Sequence, residues 1–98
     1  MNPEDDLAQR RAERDRGQRA QRIYEDDLFI GAIEAIKDDA WRRFAASDLK
    51  DDRERLIQRL RIDVIDQIAT AMRTHMTTGK MAEGQIPFLE KALRKLRA

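Results

Sequence analysis

Two long stretches of the chain repeat apolar side chains with the period of an α-helix, and no stretch alternates with the period of a strand. In the first, helix A at about residues 24–45, large apolar residues and alanines form one stripe. This stripe comprises Phe29, Ile33, Ile36, Ala40 and Phe44. Ile30 and Trp41 lie roughly 100–120° away from it on the helix surface. The stripe predicts one partner helix, and the flanking residues predict a second contact.

The second stretch, helix B at about residues 52–77, has a wider apolar surface than one partner helix covers. It follows the polar break "ASDLKDDRERL", in which Asp51 is a predicted cap with Glu54 at the capping-box spacing. Its apolar residues form two stripes, Ile57, Leu60, Val64, Ile68 and Ala71, and Ile62, Ile65, Ala69, Met72 and Met76. The two stripes together cover roughly 200°, about twice what a single contact needs. Because so short a chain has few helices to cover them, this width predicts a homo-oligomer.

The N-terminal segment is predicted to be a basic arm. Asn2 and Pro3 are typical of a helix start, and Ala, Arg and Gln favour a helix. However, Leu7 is the only large apolar residue between Met1 and Ile23. Residues 1–22 are therefore predicted to be a frayed helix or a disordered arm, with Gly17 as its weak point.

The C-terminal segment is predicted to be separate from helix B. Gly79 is the expected C-cap of that helix, and "MAEGQIP" is the expected turn. Pro87 then opens a short helix, "FLEKALRKLRA". The predicted fold is therefore all-α, with a long antiparallel hairpin over residues 23–78 and a turn with a short basic helix over 79–98. The hairpins are expected to assemble into a helical oligomer, with a ring as one form.

Composition favours long solvated helices in a single domain, since 40% of the 98 residues are charged and 5% are aromatic. The chain has no cysteine, so disulfides and cysteine metal sites are excluded. Neither a membrane-spanning run nor a signal peptide is evident, and the predicted location is cytoplasmic. The net charge of +1 hides a pattern: segments 7–22, 55–80 and 88–98 are basic, and 23–54 is acidic.

The residues offer little for catalysis. His75 is the only histidine and has no chemical partner one helical turn away, so a structural role is favoured. The adjacent acids, such as Asp38 and Asp39, diverge by about 100° on a helix and favour a solvated face over a metal site. The chain carries no phosphate loop or nucleophile motif. We expect no enzyme, no cofactor, no metal and no small-molecule substrate.

The basic ends are the candidate nucleic-acid contacts. Six arginines of the arm are the predicted DNA-binding residues: Arg10, Arg11, Arg14, Arg16, Arg19 and Arg22. They are scattered around the helix, as on a single exposed helix. Nucleic-acid contact is favoured, ahead of solvated or self-pairing charge and of a protein partner. A second basic set lies in the predicted C-terminal helix: Lys91, Arg94, Lys95 and Arg97. No helix-turn-helix is evident.

Trp41 has two interpretations, a stacking platform for a base and an anchor in a protein interface, and the second is favoured. The predicted subunit-interface residues are Trp41, Phe44, Leu56, Ile62, Ile65 and Met72.

Four short motifs occur between about residues 24 and 86. They are the acidic start Asp26-Asp27 followed by Leu28-Phe29, then Trp41-Arg42, "RERL" at 53–56 and "TGKMA" at 78–82. With these motifs the segment resembles short helical proteins encoded in the packaging and head-gene regions of tailed phages and prophages. Such proteins are similar to the assembly hairpin of phage small terminase subunits. Those subunits form rings, bind viral DNA and modulate the large terminase subunit.

The resemblance implies an oligomeric DNA-packaging adaptor in a bacterial host cell, with double-stranded DNA and the large terminase subunit as partners. The missing helix-turn-helix implies largely non-specific binding through the arm. The resemblance also implies contact of the C-terminal basic helix, Lys91, Arg94, Lys95 and Arg97, with the large terminase subunit or with DNA. Two alternatives remain open. One is a small phage or bacterial regulator that binds another protein, such as an inhibitor of a host defence system. The other is a structural head or connector component.

Overall fold

The computed structural model describes residues 2–97, which form three α-helices and no strand. Helix α1 spans Pro3–Tyr24, α2 spans Asp27–Ala46 and α3 spans Asp52–Arg97. The predicted all-α class is confirmed. Short polar side chains at the helix starts satisfy backbone N–H groups that have no partner within the helix.

The three N-terminal caps follow one pattern. The side-chain oxygen of Asn2 accepts from the backbone N–H of Asp5 (2.8 Å), and that of Asp26 accepts from Phe29 (3.0 Å). Asp51 accepts from the backbone N–H of Glu54 (3.1 Å), as predicted from the sequence. The capping box is not closed by a return bond, because the Glu54 carboxylate accepts instead from the Gln58 amide at 2.8 Å.

Helix α3 runs unbroken through the predicted turn at residues 79–87. Gly79 does not end the helix. Its φ is not positive, as it would be in a glycine that caps a helix C-terminus, and α1 packs against the face where a side chain would stand. Pro87 lies inside the helix and removes one backbone donor without ending it. The predicted separate C-terminal helix is therefore wrong. Burial of Ala82, Ile86 and Leu93 against α1 outweighs the local turn signals.

One face of α3 forms a continuous seam along most of its length. Residues that are at least partly buried recur every three or four positions, with the mean spacing of about 3.5 that is typical of coiled coils. The seam comprises Gln58, Ile62, Ile65, Ala69, Met72, Met76, Gly79, Ala82, Ile86, Leu89 and Leu93. Its heptad period explains why neither Gly79 nor Pro87 interrupts the packing.

The chain forms two units. The central unit, residues 24–71, contains α2 and the first part of α3, joined by residues 47–51. Lys37 contacts Asp66 and Asp39 contacts Arg61, both at 3.0 Å, so the two helices run antiparallel. The unit buries mainly Ala40, Ile62 and Ile65.

The terminal unit, residues 2–23 and 72–97, contains α1 and the rest of α3. Leu7 of α1 is buried in a cluster with Ile86 and Leu93, with Leu89 packed against it. Where a frayed helix or a disordered arm was expected, α1 is a regular helix that packs on α3 through Leu7. The boundaries predicted at 22/23 and 78/79 also differ from the observed units, because the two chain ends share one unit.

Glycines, rather than large apolar residues, allow α1 to pack closely on α3. A Cβ on Gly17 would lie 2.8 Å from the Gly79 Cα and 2.8 Å from the His75 carbonyl oxygen. A Cβ on Gly79 would lie 2.8 Å from the Gly17 Cα and 3.1 Å from the Glu13 carbonyl oxygen. The two backbones therefore touch where the glycines cross. Gly17 was expected to be the weak point of the arm. It is instead a site of close backbone approach between α1 and α3.

Candidate nucleic-acid interface

The two units carry opposite charge. The terminal unit has twelve Lys or Arg residues and seven Asp or Glu residues, whereas the central unit has eight and twelve. The terminal unit is therefore net +5 and the central unit net −4 at pH 7. Because folding brings both basic chain ends into the terminal unit, this unit is the candidate site for an anionic partner.

The two basic segments meet at the ends of α1 and α3. The Arg97 guanidinium lies 2.9 Å from the Glu4 carboxylate, and that of Arg11 lies 3.7 Å from Glu90. These pairs border an open groove, whose lining residues are Leu7, Arg11, Glu90, Leu93, Arg94 and Arg97. The groove therefore joins a basic residue of the N-terminal segment to two of the C-terminal segment.

Helix periodicity extends this contact into a basic face. Arg22 lies eleven residues, about three turns, after Arg11, so both are on one side of α1. Arg73 and Lys80 are separated from Arg94 by multiples of seven residues, so all three are on one side of α3. Since Arg11 and Arg94 line the same groove, these sides adjoin. We define the basic face by these five residues: Arg11, Arg22, Arg73, Lys80 and Arg94. The same spacing places Asp15, Glu83 and Glu90 among them, so the face has an excess of positive charge and is not uniformly basic.

The six predicted DNA-binding arginines are not equivalent. Arg10 is partly buried and paired with Asp6 (3.4 Å) and Glu13 (3.1 Å), and Arg14 pairs with Asp15 (3.1 Å). A further group is exposed and makes no ion pair with any residue between 2 and 97, namely Arg16, Arg19 and Arg22. The structure therefore leaves half of the predicted set available to an outside anion without breaking an internal pair.

The C-terminal basic residues are also exposed. Within residues 2–97, Lys91, Arg94 and Lys95 make no ion pair, and Arg97 pairs with Glu4 at a site open to solvent. Exposed ion pairs contribute little stability, so a phosphate can displace the glutamate at small cost.

The predicted subunit-interface residues fall into two groups. Ile62 and Ile65 are 4% and 7% exposed and lie in the core of the central unit, so they offer almost no surface to a neighbouring chain. Met72 lies partly buried on the α3 seam. Trp41 and Leu56, by contrast, are exposed.

Phe44 is held between two neighbours. The Trp41 ring meets it edge-on, with 5.8 Å between centroids, and the Arg55 guanidinium lies 4.1 Å from its ring centre. Trp41 belongs to the acidic central unit, so it is not part of the basic face. Its contact with Phe44 is consistent with the packing interpretation of this tryptophan.

The wide apolar surface of helix B is present, and only one of its two stripes is covered. Ile62 and Ile65 of the second stripe are buried, whereas four residues of the first remain between 39% and 52% exposed. These four residues, which we call the exposed stripe, are Ile57, Leu60, Val64 and Ile68. Ile36 of α2 continues the surface across a shared groove.

A small ionic cluster borders this groove. The Asp39 carboxylate accepts from Arg61 and lies 3.0 Å from Arg43. The hydrogen bond from Arg61 is the main cause that holds the pKa of Asp39 below its ordinary value, with further lowering by Arg43. A carboxyl whose pKa is lowered on folding adds stability above its unfolded pKa and loses it as the pH falls.

We expect Arg61→Gln to raise the pKa of Asp39 towards its ordinary value, because the main stabiliser of the ionised form is removed. Titration of the side-chain carboxyl by NMR measures this directly. Arg42→Gln is the matched control, since Arg42 lies farther from Asp39 (3.7 Å) and is not among the causes of the shift. An unchanged Asp39 pKa in Arg61→Gln would contradict the assignment.

His75 is exposed, and no group of three His, Asp or Glu side chains suited to a metal ion occurs between residues 2 and 97. In this same range, no helix is apolar over a length that would cross a bilayer.

Comparison with known proteins finds no matching family model, curated protein or solved structure. The resemblance to phage packaging proteins therefore rests on the sequence motifs alone.

Sequence reasoning treated the two basic ends as separate features and did not find the face they form together. One signal was available: Gly17 and Gly79 lie in otherwise helical stretches, and small residues are typical of close helix crossings. The heptad spacing of Arg73, Lys80 and Arg94 was a second signal.

Proposed function

We propose that this protein is a non-catalytic, self-associating helical adaptor that binds duplex DNA through the basic face of its terminal unit. The observation that carries the proposal is the union of two basic segments, from opposite ends of the chain, in one unit of net charge +5. DNA phosphates are the partner whose charge density suits such a surface.

The dimensions of the basic face also suit a duplex. From Arg73 to Arg94, α3 rises about 31 Å, which is close to one turn of B-form DNA. Phe88 is the only aromatic residue of the terminal unit, so this surface offers no set of stacking platforms for unpaired bases. Arginine and lysine contacts to phosphates fix position without reading sequence, so the binding is largely non-specific.

The motif resemblance gives this adaptor a setting, DNA packaging in a tailed phage, inside the cytoplasm of the bacterial host. In that role, several copies hold DNA together, because linked weak contacts add up through avidity. The exposed stripe of the central unit supplies surface for such self-association. Three residues at the C-terminal end, Lys91, Lys95 and Arg97, remain open to DNA or to the large terminase subunit.

A second candidate is a regulator that binds another protein, such as an inhibitor of a host defence system. The net charge of −4 on the central unit and its exposed apolar residues favour this alternative, because together they suit a basic protein surface. A structural head component without DNA contact is the third candidate. Both alternatives predict no DNA affinity in the terminal unit.

The test is a salt titration of duplex DNA binding by the full chain and a charge-neutralised variant. The test variant combines Arg11→Gln, Arg22→Gln, Lys80→Gln and Arg94→Gln. We expect the slope of log Kobs against log salt to fall by up to about 0.9 for each phosphate contact removed. Deletion of α1 is a poorer test, since it also exposes the buried cluster around Ile86 and Leu93.

A matched control removes the same types of charge from the central unit. This control combines Arg42→Gln, Lys50→Gln, Arg53→Gln and Arg59→Gln. We expect its salt slope to equal that of the unmodified protein. Equal losses in both variants, or no salt-dependent binding by the unmodified protein, would contradict the proposed function.

A further inference from the structure

We infer that the apolar groove of the central unit binds the same groove of a second copy of this chain, forming a two-fold pair. The inference names the surface behind the self-association in the proposed function, and rests on it. The groove lies between α2 and α3 and is lined by Ile36, Ile57, Leu60, Arg61, Val64 and Ile65.

The lining is almost entirely aliphatic. Arg61 is its one charged residue, and the guanidinium is held by Asp39 of the same chain at 3.0 Å. Two identical grooves can therefore meet without bringing unpaired like charges together. Large apolar patches of this kind mark interaction surfaces, because leaving them in water is unfavourable.

The charge distribution around the central unit indicates which surface of a second copy can cover the groove. The Asp39–Arg61 and Lys37–Asp66 pairs lie on opposite sides of the α2–α3 contact. Residues 37 and 39 differ by about 200° around α2, and residues 61 and 66 by about 140° around α3. The side opposite the groove therefore carries the Lys37–Asp66 bridge, one turn from the Arg59–Asp63 pair. Ile30 and Trp41 are exposed on the same side, so that it mixes apolar residues with ion pairs, whereas the groove lining has one charged residue.

Burying that opposite side against a neighbour's groove would desolvate charged groups without new partners, which is unfavourable. Burying groove against groove covers Leu60 and Val64 of both copies and leaves those ion pairs in water. A self-complementary contact of this kind generates a closed two-fold pair. The charge distribution thus favours a second copy of the groove over the opposite side of a neighbouring copy.

The available surface is large enough for a stable pair. Helix α2 is about 30 Å long, and two adjacent helices are roughly 20 Å wide. A flat face of this size approaches the ~800 Å² per partner that a standard interface buries. In the pair, α2 and the first part of α3 from each copy form a four-helix layer, with the 3–4 spacing of Ile57, Leu60 and Val64 suited to interdigitation.

The first experiment measures mass in solution by light scattering and sedimentation at tens of micromolar. We expect the unmodified protein to have twice the chain mass of 11.5 kDa, and Leu60→Glu/Val64→Glu to have the mass of one chain. The matched control, Leu49→Glu/Met81→Glu, places the same charges at exposed apolar sites outside the groove. It should keep the mass of the pair.

The second experiment uses the absence of cysteine from the chain. Val64→Cys and Leu60→Cys proteins, mixed and oxidised, should form a disulfide-linked dimer because both positions lie at the centre of the contact. Leu49→Cys should not. This measurement needs no disruption of the apolar surface, so it remains decisive if the glutamate variant fails to fold.

The outcomes separate this inference from the proposed function. A one-chain mass for the unmodified protein, or a mass above the pair, would overturn the two-fold contact, as would a pair that survives in Leu60→Glu/Val64→Glu. If DNA binding with a steep salt slope persists in those cases, the DNA-binding part of the proposed function stands without the pair. A pair that binds no DNA would refute the proposed function and leave the pair intact.

Discussion

Gly79→Ala is expected to destabilise the terminal unit, although alanine favours a helix by about 1 kcal/mol relative to glycine. The new Cβ would lie 2.8 Å from the Gly17 Cα and 3.1 Å from the Glu13 carbonyl oxygen. Both are backbone atoms, so α1 and α3 must separate to admit the methyl group. Overpacking of this kind costs about 1–3 kcal/mol, so we expect a net loss of up to ~2 kcal/mol.

Gly84→Ala is the matched control for this prediction. Gly84 lies in the same helix, but apart from its chain neighbours and the adjacent backbone of α3 no atom comes within 4 Å of the position of its Cβ. Here only the helix preference acts, and we expect a gain of up to about 1 kcal/mol. Thermal unfolding followed by circular dichroism measures both, with a shift of about 4–8 °C for each kcal/mol. If both substitutions stabilise the protein, the close crossing is wrong.

Leu7→Ala is expected to have the largest effect of any single truncation in α1. Leu7 is 6% exposed and contributes the only large apolar side chain of α1 to the cluster with Ile86 and Leu93. Removing a buried leucine side chain costs about 2–5 kcal/mol, because apolar contacts are lost and a cavity remains. That is a large fraction of the total stability of a small domain.

Hydrogen exchange locates this effect within the molecule. We expect amides of residues 82–93 to lose protection in Leu7→Ala, while amides of the central unit change much less. Leu28→Ala makes the same truncation at a site that is 83% exposed, and should change stability by no more than ~0.5 kcal/mol. Equal effects of the two substitutions would indicate that α1 does not pack against α3.

The difference between the expected arm and the observed helix α1 has a definite physical cause. The sequence pattern measures large apolar residues, and residues 8–22 contain none. Gly17 and Ala20 are buried instead because their small size lets the backbones of α1 and α3 come close together. Such contacts depend on a partner that lies about sixty residues away in the chain, so no local pattern shows them.

The predicted helix end at Gly79 fails for a related reason. Glycine is common both after helix ends and at close crossings, and the local sequence does not distinguish the two. The turn signal of Gly84 and Pro87 was similarly outweighed by the seam, in which Ala82, Ile86 and Leu93 continue the heptad spacing. The heptad spacing of buried residues along α3 therefore decided the helix length, and the turn signals of single residues did not.

The candidate DNA site shows the same division. The arginines and lysines, and their concentration at the two ends, were evident from the sequence. Their union into one basic face was not, because it requires α1 to lie beside residues 72–97 of α3. Of the predicted interface residues, Ile62 and Ile65 are interior because α2 covers the stripe to which they belong.

The sequence by itself determined the helical class, the N-terminal cap of α3 at Asp51 and the excess of apolar surface on that helix, since these depend on spacing within a few turns. Only the tertiary structure decided which apolar stripe is buried, that α3 continues to Arg97, and that the two basic ends share one unit. Those features depend on contacts between residues far apart in the chain, and local periodicity carries no information about which faces meet.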